Sequence, residues 1–496
     1  MLNLFSSGSR GHAGRHRRRG TWLSVVAVAG VLALGVPAAN AAAAPAGPSQ
    51  AAAAQATAAR TAAAQAATAA QTTKEYVIRF WPRYISFGQQ AGASTVGLNT
   101  LTGVAKMGPQ FRIVNLINND TVYASGFVDL RNGPVVVTIP PTTVTYSVLA
   151  LDVWGDVIPS IPAGKPGPYA LVLKGWKGTL PPGLTKITVP YPVTTWTFRA
   201  DRASSTGVDT TAEATVFRNA LHLAPLAQYE ADPSSGPVII LPLRRVSYSF
   251  KLAEDLAVTL TPNLFLRQMQ RRIGSATTQP LSASDVQLAH AFDQVFAAAQ
   301  QAARRGNPVP LARIDTAARA AYAAIVANFM NHHGPTNWIS FKNIAAWGTA
   351  YLDRASTTEY CQLCNNISAA AYWQAFKDGN GRQLNGALRG YTLTFPANNI
   401  PDAKRFWSVT AYVPYTLELI PNRLDKYLVA RYTPGLVYNK DGSVTIYISA
   451  VKPAGVPTAN WLPVQRRQFN IALRVYGPTG NTLDGNYTPP AIMPMR

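Results

Sequence analysis

The chain has 496 residues, with 45 Lys and Arg against 23 Asp and Glu, a net charge of +22. That length supports several separate cores, and a hydrophobic share of 47% excludes a wholly disordered chain. No recognised nucleic-acid-binding motif accompanies the charge, so the expected partners are anionic or hydroxyl-rich extracellular ligands and not nucleic acid.

The chain opens with the pattern of an export leader, residues 1–41. Arg15, Arg17, Arg18 and Arg19 make a basic start, Trp22 to Val36 an apolar run, and Ala39-Asn40-Ala41 a small-residue cleavage site. The run falls short of the ~20 apolar residues of a spanning helix and is interrupted by Gly30 and Gly35. Cleavage after Ala41 is therefore expected over a retained anchor. No later segment is apolar enough to span a bilayer, and the expected location is secreted or envelope-associated. Residues 42–73 are almost all Ala, Gln, Thr and Pro. With no large side chain to bury they read as a tether, helical in part because Ala favours helix.

From Tyr76 the texture changes, and residues 74–235 read as an N-terminal β domain. Val122–Leu130, Pro134–Ile139, Tyr146–Trp154, Tyr169–Leu173, Ile187–Val189 and Thr194–Ala200 are rich in β-branched and aromatic residues. Turn residues such as Asn132-Gly133 and Pro181-Pro182-Gly183 separate them, which predicts a sandwich or barrel. Residues 236–380 read as a helical middle. Ser284 with Gln287 suggests a capping box, and Leu288, Phe292, Val295, Phe296 and Ala299 follow helical spacing. Ile314 to Asn331 repeats the pattern, and shorter helices are predicted around Ala345–Ala355 and Ser368–Phe376. Residues 381–496 read as a C-terminal β domain, with strands at Tyr391–Phe395, Phe406–Tyr412, Leu417–Ile420, Ser443–Ser449 and Phe469–Val475. Asp441-Gly442 marks a turn before the fourth of these. The fold class is mainly β with a helical middle: two β-sandwich or jelly-roll-like blocks flanking an α-helical segment.

Several runs resemble known families. Asn118-Asn119-Asp120-Thr121-Val122-Tyr123, Gly133-Pro134-Val135-Val136, Asp152-Val153-Trp154, and Gly175-Trp176-Lys177-Gly178 are similar to the domain of unknown function numbered 1254. Leu384-Asn385-Gly386, Phe406-Trp407-Ser408, Asn422-Arg423, Asp441-Gly442-Ser443 and Asn460-Trp461-Leu462-Pro463 resemble the domain of unknown function numbered 1214. Trp347-Gly348-Thr349-Ala350-Tyr351 and Arg354-Ala355 resemble the stretch between them. The resemblance implies two β-sandwich or jelly-roll-like parts with a helical segment, and it carries over no catalytic residue to this sequence.

Cys361-Gln362-Leu363-Cys364 holds the chain's two cysteines. In an oxidising compartment they should form a disulfide. A zinc site lacks two further ligands, so no metal or cofactor is expected. His222, His290, His332 and His333 form no ligating motif. The candidate ligand-binding residues are Asn119, Asp120, Tyr123, Asp152, Trp154 and Arg199. Carboxylate, phenol and guanidinium together can grip a hydroxyl-rich or anionic ligand. Asp152 and Trp154, two apart, would share a face on a regular strand. The competing reading has Asn119-Asp120-Thr121 capping a turn and Arg199 buried against an acid. Two functions stay open: binding of an extracellular or envelope polymer or glycan, and a secreted hydrolase or lyase using Asp120, Tyr123 and Asp152 as acid–base groups.

Overall fold

The computed structural model describes residues 50–93, 96–242, 249–274 and 279–495. The leader, its cleavage site and residues 42–49 of the tether lie outside the described residues. Thr61–Arg496 forms one compact unit. Of the other unit, Met1–Arg60, residues 50–60 are helical and exposed.

Two β sandwiches occupy the two ends of the large unit. In the N-terminal one, a five-stranded sheet runs in the order Tyr146–Leu151, Val193–Asp201, Thr121–Asp129, Thr102–Val104, Ile239–Leu241. A four-stranded sheet, Thr185–Val189, Gly167–Leu173, Val135–Ile139, His222–Pro225, packs on it. Ala124, Val128, Trp196 and Phe198 from the first sheet meet Val135, Val137, Tyr169 and Leu171 from the second in one core. The C-terminal sandwich repeats the plan. Its five-stranded sheet runs Trp338–Ile339, Ala370–Ala375, Asn470–Pro478, Ala403–Tyr412, Leu428–Ala430, and its four-stranded sheet Trp461–Pro463, Val444–Ser449, Tyr391–Phe395, Met493–Pro494. Trp373, Trp407, Val409 and Leu473 face Leu393, Phe395, Ile446 and Ile448 across its core.

The two five-stranded sheets also pack on each other. Side chains alternate along a strand, so in Val193–Asp201 the residues Trp196, Phe198 and Ala200 enter the N-terminal core. Thr195, Thr197, Arg199 and Asp201 therefore point the other way, yet all nine residues of this strand are buried. What covers them is the C-terminal sheet, whose Phe406, Tyr412 and Tyr476 share a cluster with Leu149 and Leu151 of the N-terminal sheet. Arg405 spans the seam to Asp201 in a two-pronged ion pair, its Nε 2.8 Å from Oδ2.

The helical segment is Phe250–Leu260, Pro262–Ile273, Ala283–Arg304, Val309–Asn331 and Tyr351–Tyr360. The helix Gln50–Ala93 supplies its remaining side. Residues 76–93, read from sequence as the start of β texture, continue this helix. Tyr76, Val77, Phe80, Trp81, Tyr84 and Ile85 fall at helical spacing and are buried against Phe265, Met269, Phe292 and Phe296. The capping box is made by Ser282 and Asp285, two residues before the pair read from sequence. Ser368–Phe376 is not helical: Ala370–Ala375 is a strand, buried throughout, that pairs with Asn470–Pro478. Residues 338–339 and 370–375, inside the segment read as the helical middle, thus belong to the C-terminal sandwich. Leu417–Ile420 forms no strand, because Leu417 turns the chain at φ 54°.

A buried ion cluster ties the helices together. The Lys251 ammonium contacts Glu359 Oε1 and lies 2.7 Å from Asp255 Oδ2. Burial disfavours its charge, but the two carboxylates more than offset that and raise its pKa. Lys251→Met strands two acids and is expected to cost about 3–5 kcal/mol, with partial recovery on adding Glu359→Gln; urea denaturation of the two variants checks this. Deleting residues 50–60 is expected to leave the melting temperature unchanged, whereas Trp81→Ala should lower stability by about 3–5 kcal/mol.

Candidate functional site

The six candidate residues divide between two places. Asn118, not Asp120, caps the entry to strand Thr121–Asp129: its Oδ1 accepts the backbone N–H groups of Asp120 at 2.6 Å and Thr121 at 3.2 Å. The Asp120 carboxylate is fully buried in the seam, where it accepts the Tyr432 hydroxyl at 2.6 Å and the Ser408 hydroxyl at 2.9 Å. Burial pushes its pKa up, against the pull of those hydrogen bonds and of Arg474 and Arg202. Asn119 accepts from Arg202 through its backbone oxygen at 2.9 Å. Tyr123 and Arg199 are direct cross-strand partners, with the guanidinium 5.5 Å from the ring centre. Arg199 donates to Leu363 O at 2.8 Å and Asn365 Oδ1 at 3.2 Å. Asp120 and Arg199 are sealed by protein, so the expectation that Asp120, Tyr123, Asp152 and Arg199 face one pocket does not match their placement.

Asp152 and Trp154 sit elsewhere. They lie not on a strand but in the tight turn that ends Tyr146–Leu151. Gly155 takes φ 88° there, and Asp152 Oδ1 accepts the N–H groups of Trp154 at 2.8 Å and Asp156 at 3.0 Å. The turn closes one side of a cleft of about 430 Å³ lined by Arg79, Asp152, Trp154, Asp156, Tyr191, Asp285, Tyr351 and Arg354. The helical segment supplies its other side. Arg79 donates through Nε to Asp285 at 2.6 Å and lies 3.5 Å above the Tyr351 ring. Arg354 is 4.5 Å from the Trp154 ring centre and 5.2 Å from that of Tyr351. Its Nη2 donates to Arg79 O at 3.3 Å, and its buried Nε has no hydrogen-bond partner. Trp154 is thus a support on which Arg354 rests, rather than an open stacking platform.

Burial and then repulsion from Asp156 push the Asp152 carboxyl up to about 6, against the Trp154 and Asp156 N–H groups and the Arg354 charge. Burial, with Asp152 and Asp156, raises the Tyr191 phenol as well. The cleft therefore joins an acid raised to about 6, two further carboxyl groups (Asp156 and Asp285), two phenols and two guanidinium groups. Such a set hydrogen-bonds a polyhydroxylated ligand and can move a proton at Asp152. Asp156, Tyr191, Arg79, Tyr351 and Arg354 escaped the sequence reading as site residues. Tyr351 and Arg354 stand in the Trp347–Ala355 run already noted, and Asp156 follows Asp152 by one turn. Among the described residues no group of three or more His, Cys, Asp or Glu is placed to hold a metal ion.

Residues 98–225 match the family described as Protein of unknown function (DUF1254), and residues 369–480 match Protein of unknown function (DUF1214). The chain is thus similar to a 1254 domain followed by a 1214 domain. The matched stretches are the two sandwiches, and most of the helical segment lies between them. The crystal structure of the VPA0106 protein from Vibrio parahaemolyticus superposes with a TM-score of 0.55 at 17% identity, over 86% of this chain and 100% of that one. It shares the fold. An uncharacterised protein from Burkholderia cenocepacia aligns with a TM-score of 0.41 at 13% identity, over 87% of this chain and 95% of that one. No curated protein matches the chain. The Asp152 cleft lies where the 1254 domain meets the helices.

The disulfide Cys361–Cys364 is formed. It closes the loop in which Leu363, at φ 54°, turns its carbonyl to Arg199. Replacing both cysteines by Ser is expected to preserve the fold at a cost of about 2 kcal/mol, the small loss appropriate to so short a loop. Arg199→Gln should cost more, about 1–3 kcal/mol for each acceptor left without a donor. Thermal melts of the two variants, side by side, check the order.

Proposed function

We propose that this is an exported binding protein that takes a hydroxyl-rich ligand, of glycan type, in the cleft at Asp152. The observation that carries the reading is the convergence of Asp152, Asp156, Tyr191, Arg79 and Arg354 on one polar cleft beside a carboxyl raised to about 6. Enclosing a carboxylate beside a second one costs folding energy, and residues held against their preference cluster at functional sites. The leader pattern and the basic composition support an extracellular or envelope setting for such a ligand. Among the described residues no helix is long and apolar enough to cross a membrane.

The raised Asp152 carboxyl also favours a second reading, a hydrolase or lyase in which Asp152 donates the proton. One variant separates the two. Asp152→Asn keeps the acceptor for the Trp154 and Asp156 N–H groups but cannot transfer a proton. If the protein only binds, affinity for a responsive polysaccharide from a neutral and acidic panel falls several-fold and no product forms with either variant. If it is an enzyme, binding persists and product release stops. Binding by neither form would overturn both readings.

The same change has a stability signature. A carboxyl whose folded pKa lies above its unfolded value holds its proton more tightly when folded. Its stabilising contribution is complete below about pH 4 and is lost as pH rises through about 6. Asp152→Asn is expected to remove that slope and to raise stability at pH 7 by about 2–3 kcal/mol. Urea unfolding of both proteins between pH 4 and 8 checks it.

A further inference from the structure

A second cleft, of about 440 Å³, opens where the helix Val309–Asn331 runs into the C-terminal sandwich. It shares no lining residue with the Asp152 cleft, and its chemistry is the reverse. Trp338, Phe341, Tyr372, Trp373 and Tyr487 make its walls, and no Asp or Glu lines it. Its polar lining carries one fixed charge, the Lys342 ammonium, with groups that can donate hydrogen bonds, among them His333, Thr336 and Ser340.

Two of these groups are braced by their neighbours, and a third is left without a partner. The His332 ring stacks on Phe341 at 4.0 Å and 14°, which fixes its plane. The stem of Lys342 lies against Gly485, where a Cβ would come within 3.1 Å of Lys342 Cδ. Gly485 also takes φ 70°, so only glycine meets both demands easily. The Thr336 hydroxyl is buried with no hydrogen-bond partner, although buried hydroxyls are normally satisfied. By contrast, Trp338 Nε1 and the Tyr372 oxygen are already engaged, with Pro490 O at 2.8 Å and Asn365 Nδ2 at 2.6 Å. Those rings therefore offer apolar surface.

We propose that this cleft binds a small organic carboxylate with a flat apolar body. The body would lie among Trp338, Trp373 and Tyr487, and the carboxylate would meet Lys342, His333 and the Thr336 hydroxyl. An aromatic wall with a few placed donors is the usual composition of a small-molecule site. A carboxylate beside an ammonium makes the stronger, charge-assisted kind of hydrogen bond. The arrangement discriminates against the uncharged analogue of the same shape, which gives the Lys342 ammonium no charged partner.

The probe is 2-naphthoate, with 2-naphthalenemethanol as the neutral isostere, titrated into the full chain and followed by tryptophan fluorescence and thermal shift. Naphthoate should quench fluorescence saturably, raise the melting temperature, and bind at least tenfold more tightly than the alcohol. Lys342→Met, at an exposed position that does not threaten folding, should erase that preference while leaving alcohol binding unchanged. Asp152→Asn should change neither affinity, which keeps this site distinct from the other cleft. Equal affinity for the two probes, no saturable binding, or an unaltered preference in Lys342→Met would each overturn the proposal.

Discussion

The polar packing of one five-stranded sheet on another is the constraint from which the rest of the molecule follows. The apolar cluster of Leu149, Leu151, Phe406, Tyr412 and Tyr476 alone could slide; Asp120, Arg199, Asp201, Arg405 and Arg474 lie in the same seam, and each must find its partner after losing water. Asp120 accepts from two hydroxyls of the opposite sandwich. Arg474 donates to Leu116 O. Tyr476 receives Asn118 Nδ2 at 2.7 Å. These bonds tie the loop before Thr121–Asp129 to the facing sheet and fix one alignment of the two halves. The two sandwiches form one compact unit because neither inner face is complete alone.

That alignment also sets the Asp152 cleft. Strand Val193–Asp201 lies at the centre of the seam, and its neighbour Tyr146–Leu151 ends in the turn carrying Asp152. From the other side come Arg79 and Arg354, held by the aromatic packing of the first helix. The cleft is built where two cored parts, the N-terminal sandwich and the helical segment, meet, so its charged groups sit at the edge of each core. Domain junctions are common places for ligand sites for that reason.

Most strands were legible from their β-branched and aromatic content, and some from alternation against a single core, as in Tyr391–Phe395. The seam was not. Thr195, Thr197, Arg199 and Asp201 carry the polar alternation of a solvent face, and nothing local reveals that a second sandwich covers it. The same blindness placed Asp120 and Arg199 in a pocket, when polar chemistry in a strand serves equally to join two sheets. The helix through residues 76–93 was obscured by its Tyr, Phe and Trp content, which suits strands as well. Of the cleft, Asp152 and Trp154 were legible as a pair, although a turn and not a strand unites them. Their partners Arg79 and Arg354 come from helices distant in sequence, and only folding brings them there.

The aromatic helix carries a further cost in time. Its partners are far along the chain: Arg79 meets Asp285 across 206 residues, and Arg83 meets Ile273 across 190. Contacts of such separation close slowly. A ribosome adding about 5–20 residues per second needs about ten seconds or more to supply them. Throughout that interval Tyr76, Phe80, Trp81 and Tyr84 have no core to enter. The first-made part of the unit thus waits for helices synthesised well after it before its aromatic stripe is covered.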